Sequence, residues 1–191
     1  MRVIGGQYRS RILQAPRGLD TRPTSDRLRE TLFNILAPRI EGAVFLDLYA
    51  GSGAVGIEAL SRGARESIFV EQADAANRTI RANLATLGIR GNYALEPRTV
   101  ASGIRRLAET GRRADLVFLD PPYAEAGEYT VALNLLGGDS SSILAPGALV
   151  IAEHEKRRDL DAQYGTLVRY RVLKQGDAAL GFYRIDSPDP A

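Results

Sequence analysis

The stretch from Phe118 to Ala126 reads FLDPPYAEA: an apolar run that ends on a carboxylate, two prolines and a phenol. Proline fixes φ and has no amide N–H, so Pro121 and Pro122 turn the chain rigidly out of a strand and leave the Pro121 carbonyl outside the ladder. The Asp120 carboxylate and that carbonyl are then two adjacent acceptors, matched to the two hydrogens of an exocyclic NH₂. Such a nitrogen is a poor nucleophile, because its lone pair is delocalised. Gripping both hydrogens favours a pyramidal nitrogen and aims the lone pair at an electrophile. Tyr123 offers a flat face for a base, a contact typically worth ~1–3 kcal/mol. The bland alternative is a rigid strand exit with a capping Asp and a packed Tyr.

A second cluster lies earlier. Asp47-Leu-Tyr-Ala-Gly51-Ser-Gly53-Ala-Val-Gly56 follows an apolar run and opens a helical pattern. Glycines at such a turn allow positive φ and close backbone approach, at the carboxyl end of a strand where doubly wound sheets bind nucleotides. Glu71 stands twenty positions after Gly51 (71 − 51), where a carboxylate accepts both hydrogen bonds of a ribose diol. The expectation is a nucleoside-containing cofactor, with Asp47, Tyr49, Ala50, Gly51, Ser52, Gly53, Glu71 and Gln72 as candidate contacts. A pyrophosphate at this turn would be repelled by Asp47. The carboxylate suits a cation instead, such as the ammonium of the methionine moiety in S-adenosylmethionine, unless it is a structural group bonded to loop amides.

Other chemistries fit less well. The chain has no Cys and a single His, so disulfides, thiolate metal sites and multi-histidine sites are excluded and no metal is expected. Ser52, Asp120 and His154 follow the chain order of a hydrolase triad. A nucleophile elbow, however, needs glycine two residues either side of the serine, and Ala50 and Ala54 stand there. His154, after Glu153 at a strand end, is expected in a surface or structural role. A nicotinamide oxidoreductase is the remaining enzyme class that uses such a loop.

These residues need a scaffold, and the pattern around them supplies one. Strands are expected over 44–48, 67–71, 93–95, 116–120, 148–153, 168–174 and 180–185, with helices over 54–61, 74–87, 101–109 and 129–136. Unbroken Val/Ile/Leu/Phe strands between helices indicate an α/β fold with a mostly parallel, seven-stranded sheet covered on both faces. Gly176-Asp177 marks a C-terminal hairpin at the sheet edge. Ahead of this body, residues 1–22 read as a short β-ribbon, with Arg alternating with apolar residues. A helix capped by Thr24 or Ser25 follows and is expected to run to Pro38. The organisation is residues 1–40 as a basic ribbon and helix, 41–186 as the main domain and 187–191 as a frayed tail.

At 191 residues and 45% hydrophobic, the chain can bury one full-sized core. No apolar run approaches the ~20 residues of a membrane span, and no secretory leader is visible, so a cytoplasmic protein without a membrane partner is expected. The net charge of +2 hides an asymmetry: residues 1–30 carry seven Arg against Asp20, Asp26 and Glu30, or +4, and the remainder is −2. A basic arm on a mildly acidic body suggests contact with a polyanion. A solvated surface is the plain alternative.

The stretches RVIGGQYRSRIL, RPTSDRLRETLFNIL, FLDLYAGSGAVGIEALSRGA, FVEQ, DLVFLDPPY and GDAALGFYRI together resemble the RsmD-type methyltransferases, which modify the exocyclic N2 of one guanine in 16S ribosomal RNA. The resemblance implies a Rossmann-like class I fold with S-adenosyl-L-methionine as cofactor. It implies that Asp47, Gly51 and Gly53 hold the methionine portion, Glu71 the ribose, and Thr99 or a neighbouring backbone amide the adenine. Asp120, Pro121, Pro122 and Tyr123 would hold the target guanine. Arg2, Arg9, Arg11, Arg22, Thr24, Arg27 and Arg29 would form the RNA-facing surface. The implied partner is 16S rRNA, in the small subunit or an assembly intermediate, met by a monomer. Adenine-N6 methyltransferases of DNA or RNA share the Asp-Pro-Pro-Tyr motif and form the alternative, with a noncatalytic RNA-binding assembly module as the remote one. A folded RNA loop with a splayed base suits a small chain with little structure to spare for reading a DNA groove.

Overall fold

A computed structural model describes residues 1–16, 24–123 and 125–186. Arg22, the end of the expected ribbon and the 187–191 tail therefore lie outside the described residues. By its internal contacts the chain divides into two compact units, Met1–Val100 and Ala101–Ala191.

The first unit begins with α1 (Asp26–Ile40) and continues through β1 (Val44–Leu48), α2 (Ala54–Ser61), β2 (Glu66–Val70), α3 (Asp74–Thr86) and β3 (Tyr93–Glu96); α4 (Val100–Glu109) starts at its last residue. β1 pairs parallel with β2, Leu48 opposite Val70, and β2 pairs parallel with β3, Val70 opposite Glu96. All five β1 residues are buried, as a strand covered on both faces should be. The Ser25 hydroxyl caps α1 by accepting from the Leu28 amide at 3.1 Å. The helix passes through Pro38 instead of stopping there. Proline in a last turn sacrifices one backbone bond, and the buried Ile40 beyond it favours keeping the helix.

The expected β-ribbon is reduced to one antiparallel bridge, Arg2 to Ile12. The reason is where the backbone donors go. The amides of Ile4 and Gly5 donate to the Glu58 carboxylate, both at 2.8 Å; Gln7 N donates to the Ser61 carbonyl at 2.7 Å and Tyr8 N to Ser61 Oγ at 2.9 Å. The segment divides its hydrogen bonds: Val3 N donates to the Arg11 carbonyl at 2.9 Å and Leu13 N to the Met1 carbonyl at 3.1 Å, while those four amides between them turn to α2. Gly6 is required here, because a Cβ would overlap the Ser61 carbonyl. Val3 and Leu13 join Ile57, Phe69, Ile80 and Leu84 in one buried cluster, so this segment is part of the unit's core.

The second unit contains β4 (Ala114–Leu119), α5 (Gly127–Gly137), a 3₁₀ turn (Ser141–Ile143), β5 (Leu144–Glu155), β6 (Gln163–Tyr164), β7 (Leu167–Gln175) and β8 (Ala178–Ile185). β4 and β5 are parallel; β5–β8, β8–β7 and β7–β6 are antiparallel. The hairpin is present with Gly176 at φ 60°, and Gln175 faces Ala178 across it. β5 begins four residues before the expected start, in the exposed Pro146-Gly147 region that reads as loop. The described chain has eight strands rather than seven. The additional one, β6, has two residues and no periodicity from which to read it.

Candidate active site

Two groups of residues, one in each unit, carry the candidate chemistry. In the first unit β1 delivers the chain into the loop Tyr49–Gly53, which α2 closes. Gly51 has φ 54° and Gly53 φ 76°; Tyr49, although not glycine, has φ 61°. A residue with a Cβ held at positive φ stores backbone strain, of order 1–3 kcal/mol. At Gly51 a Cβ would meet nothing nearer than the Tyr49 carbonyl at 3.9 Å, so conformation, not crowding, calls for glycine. Gly56 is the opposite case: a Cβ there would overlap the Phe69 ring and lie 2.5 Å from Ser67 Oγ, so its absence lets α2 rest on β2.

Glu71 lies one residue beyond β2. Its Oε2 accepts from the Gly51 amide at 2.9 Å and its Oε1 from the Ala73 amide at 2.8 Å, while its carbonyl accepts from Asn77 Nδ2 at 2.8 Å. The acid is thus aimed by three bonds and belongs to the glycine loop itself. Each carboxylate oxygen keeps a second lone pair for a diol. Gln72 and Thr99 are exposed, Thr99 directly ahead of α4.

Asp47 is buried, 2% exposed, and its Oδ2 accepts from the Gly56 amide at 2.8 Å. Burial pushes its carboxyl up to about 8; the Gly56 bond opposes that and the Glu71 charge adds to it. Asp47 therefore ties β1 to α2, as a structural carboxylate would. The same buried acid would gain its full charge beside an approaching cation.

Sequence reasoning missed Asn83 and Glu58. Asn83, on α3, accepts from Gln14 N at 2.8 Å and donates to the carbonyls of Gln14 at 3.1 Å and Ser52 at 3.0 Å. One buried amide thereby clamps the N-terminal segment to the glycine loop. Ser52 Oγ also approaches Met1 Sδ at 3.6 Å. Glu58 is fully buried and receives, besides the Ile4 and Gly5 amides, Arg62 Nε at 2.8 Å and Arg29 Nε at 3.7 Å. A lone Glu or Asn on a helix gives no pattern by which a sequence alone reveals such a clamp.

Of the candidate RNA contacts, Arg2, Arg9, Arg11 and Arg27 are exposed. Thr24 is buried. Arg29 departs from the expectation: it is fully buried, pairs with Asp26 at 3.0 Å and donates to the Arg2 carbonyl. Its guanidinium fastens α1 to the N-terminal segment and Glu58, and it has no surface to offer a substrate.

In the second unit Asp120 is half-buried, one residue beyond β4; Pro121 is buried and Pro122 exposed. The Pro122 carbonyl accepts from the Glu125 amide at 2.8 Å, closing a turn that leaves the Pro121 carbonyl outside it. Arg158 anchors the turn, donating from Nη2 to the Tyr123 carbonyl at 3.0 Å. Its guanidinium lies 5.5 Å from the centre of the Tyr129 ring and Nη2 is 3.6 Å from Glu155 Oε2. Nothing in Lys156-Arg157-Arg158 singled out Arg158. Tyr129, on α5, donates its hydroxyl to the Glu153 carbonyl at 3.0 Å. Its phenol is pushed up first by burial and then by the Asp120 charge. His154 is buried, with Nδ1 2.9 Å from the Glu155 carbonyl, and burial lowers its pKa.

A family described as conserved hypothetical protein 95 matches residues 1–184. Ribosomal RNA small subunit methyltransferase D of Escherichia coli K12 is 40% identical over 184 residues, 96% of this chain and 89% of that protein. The protein of the same name from Haemophilus influenzae is 33% identical over 186 residues, 97% and 92% of the two chains. The solved structure of yhhF from Escherichia coli, 39% identical, superposes with a TM-score of 0.81 over 98% of this chain and 99% of that one. The fold is accordingly the Rossmann-like class I methyltransferase fold with a C-terminal antiparallel hairpin. The matches run through both the glycine loop and the Asp120–Tyr123 turn, and the chain belongs to the family of ribosomal RNA small subunit methyltransferase D.

Proposed function

We propose that the protein methylates the exocyclic N2 of a guanine in 16S ribosomal RNA, of the type numbered 966, with S-adenosylmethionine as donor. The observation that carries this reading is the Asp120–Tyr123 turn. A carboxylate ends a buried strand, the Pro122 carbonyl is consumed by Glu125 and the Tyr123 backbone is fixed by Arg158. The family's curated members are named as methyltransferases of small-subunit rRNA, which supports the substrate class.

The residues of the glycine loop suit the donor. Gly51 has open space where a side chain would stand, Glu71 presents two fixed oxygens to a ribose diol, and Asp47 is a buried partner for an ammonium. Tyr49, Ala50, Ser52, Gly53 and Gln72 line the same turn, and Thr99 or an adjacent amide would meet the adenine. S-adenosylmethionine supplies a methyl carbon on a sulfonium, already electrophilic, so the step needs no metal.

Asp120 accepts one N–H of the guanine amine and the Pro121 carbonyl the other. Held by both, the nitrogen presents its lone pair along the axis that in-line displacement demands. Tyr123 stacks the splayed base. The nitrogen loses a proton once its new bond to carbon has formed; Asp120 receives it or passes it to water. The rest of the RNA is held by its phosphates, through Arg2, Arg9, Arg11, Arg22 and Arg27. The protein acts as a cytoplasmic monomer on the small subunit or an assembly intermediate.

The test is transfer of a labelled methyl group into small subunits lacking the modification, followed by nucleoside analysis. N2-methylguanosine supports the proposal. N6-methyladenosine would move the activity to the adenine class, and no incorporation would remove it.

A further inference from the structure

Two segments without a single acidic residue meet on one face of the first unit. Residues 1–16 contain Arg2, Arg9 and Arg11; residues 75–95 contain Arg78, Arg81 and Arg90. Arg11 Nη2 reaches the Thr86 carbonyl at 3.4 Å, at the C-terminal end of α3. Beside it lies a cavity of about 460 Å³, lined by Arg81, Ala85, Gly88, Ile89, Arg90 and Tyr93. Arg81 and Arg90 are exposed, and neither guanidinium has an ion-pair or hydrogen-bond partner among the described residues. Tyr93 is half-buried, its ring packed against the core on one side.

The position matters. α3 starts three residues after Glu71, at the carboxyl end of β2, and its 13 residues carry the chain roughly 20 Å away before Gly88 turns it back into β3. The cavity therefore lies at the end of α3 away from Glu71, beyond Asn83, which touches the glycine loop at the Ser52 carbonyl. None of its lining residues is among those assigned to the donor or to the acceptor nitrogen. Unpaired guanidinium groups around an aromatic ring match a polyanion with bases to stack, and the charge has no local counterweight between Asp74 and Glu96.

Building on the rRNA reading above, we propose that the cavity between the end of α3 and the start of β3, together with Arg11, is a second RNA-docking site. It grips a strand of the substrate through residues that take no part in holding the methylated base. Arg81 and Arg90 hold phosphates, and Tyr93 offers its free edge and face to an unstacked base. A second grip lets a small enzyme recognise a large folded RNA by shape without adding contacts around the chemistry.

The experiment compares the wild-type chain, Arg81→Glu/Arg90→Glu and Arg81→Lys/Arg90→Lys for binding to naked 16S rRNA across a KCl series. S-adenosylhomocysteine binding is measured in parallel. The Glu pair is expected to weaken RNA binding at least tenfold, with cofactor affinity unchanged. The slope of log K against log salt should flatten by about 1.4–1.8, as for two lost phosphate contacts. The Lys pair should keep the slope. If wild type shows a steep slope that the Glu pair shares, the second site is wrong and the rRNA reading stands. If wild type binds neither naked 16S rRNA nor small subunits lacking the modification, both fall. A loss seen with assembled subunits but not with naked rRNA would assign the face to a ribosomal protein and overturn the proposal.

Discussion

The Gly51 amide donates to Glu71 Oε2 at 2.9 Å, joining the glycine loop to the acid twenty residues later before any ligand is involved. With the Ala73 amide on Oε1, this contact makes the acid a rigid acceptor, not a flexible one that must be ordered on binding. Glu71→Ala should weaken S-adenosylhomocysteine binding by ten- to a hundredfold in calorimetry. Glu71→Gln keeps one acceptor and should fall between. Unchanged affinity in the Ala variant would remove Glu71 from the cofactor site.

Asp47 supplies a pH signature. Its folded-state pKa of about 8 lies above the ordinary 3.8, so the folded chain retains a proton that the unfolded chain releases. The stability contributed by that proton is fully present below about pH 4 and is lost as pH rises through about 8. Asp47→Asn can still accept from Gly56 N and carries no buried charge. Its melting temperature relative to wild type should therefore rise between pH 5 and pH 9. A difference that stays flat across that range would refute the buried-acid account. If the carboxylate also meets the donor's ammonium, the same variant should bind S-adenosylhomocysteine at least tenfold more weakly.

Asp120→Ala should leave donor binding close to wild type and reduce methyl transfer below detection, because it removes one of two acceptors that orient the amine. Full turnover by this variant would sink the assigned role. Single-turnover assays with saturating RNA separate this effect from substrate affinity.

Arg158 acts through the Tyr123 backbone and is a positioning residue. Arg158→Ala should lower kcat about tenfold or more with the donor affinity spared, since misplacement of an aligned group by about 1 Å costs up to a hundredfold. Arg158→Lys keeps a donor near the Tyr123 carbonyl and should recover part of the loss. A general structural defect would instead move stability in both variants without that partial rescue.

Glu58 shares the buried Arg29 with Asp26 and holds the Ile4 and Gly5 amides. Glu58→Ala takes from the buried Arg29 one of its two carboxylate partners and leaves the Ile4 and Gly5 amides without an acceptor, and should destabilise the fold by about 3–5 kcal/mol in denaturant titrations. Arg29→Ala is likewise expected to act on stability and not on the salt dependence of RNA binding. A variant that kept its stability but lost RNA affinity would return Arg29 to the substrate surface.

The elements were legible where burial and period agree. β1 and α2 fall at the expected residues, 44–48 and 54–61, because a fully buried apolar run and a glycine turn leave no competing reading. α1 overran Pro38 because tertiary burial of Ile40 outweighs one missing amide, and a propensity rule does not contain that burial. Among the described residues the ribbon keeps a single bridge because the Ile4, Gly5, Gln7 and Tyr8 amides donate to Glu58 and Ser61 of α2, and a segment's own pattern cannot reveal what it will rest on.

By itself the sequence determined the order of strands and helices, the glycine turn with its acid at a fixed spacing, and the proline-locked carboxylate, because these are set by local periodicity and backbone chemistry. Only the tertiary structure decided which polar side chains became internal fasteners: Arg29 and Glu58 buried as a pair, Asn83 clamping Gln14 to Ser52, Arg158 holding Tyr123. The physical reason is that burial and hydrogen-bond partnership arise between residues distant in the chain. The same Arg is a surface charge or a buried tie according to what folds over it.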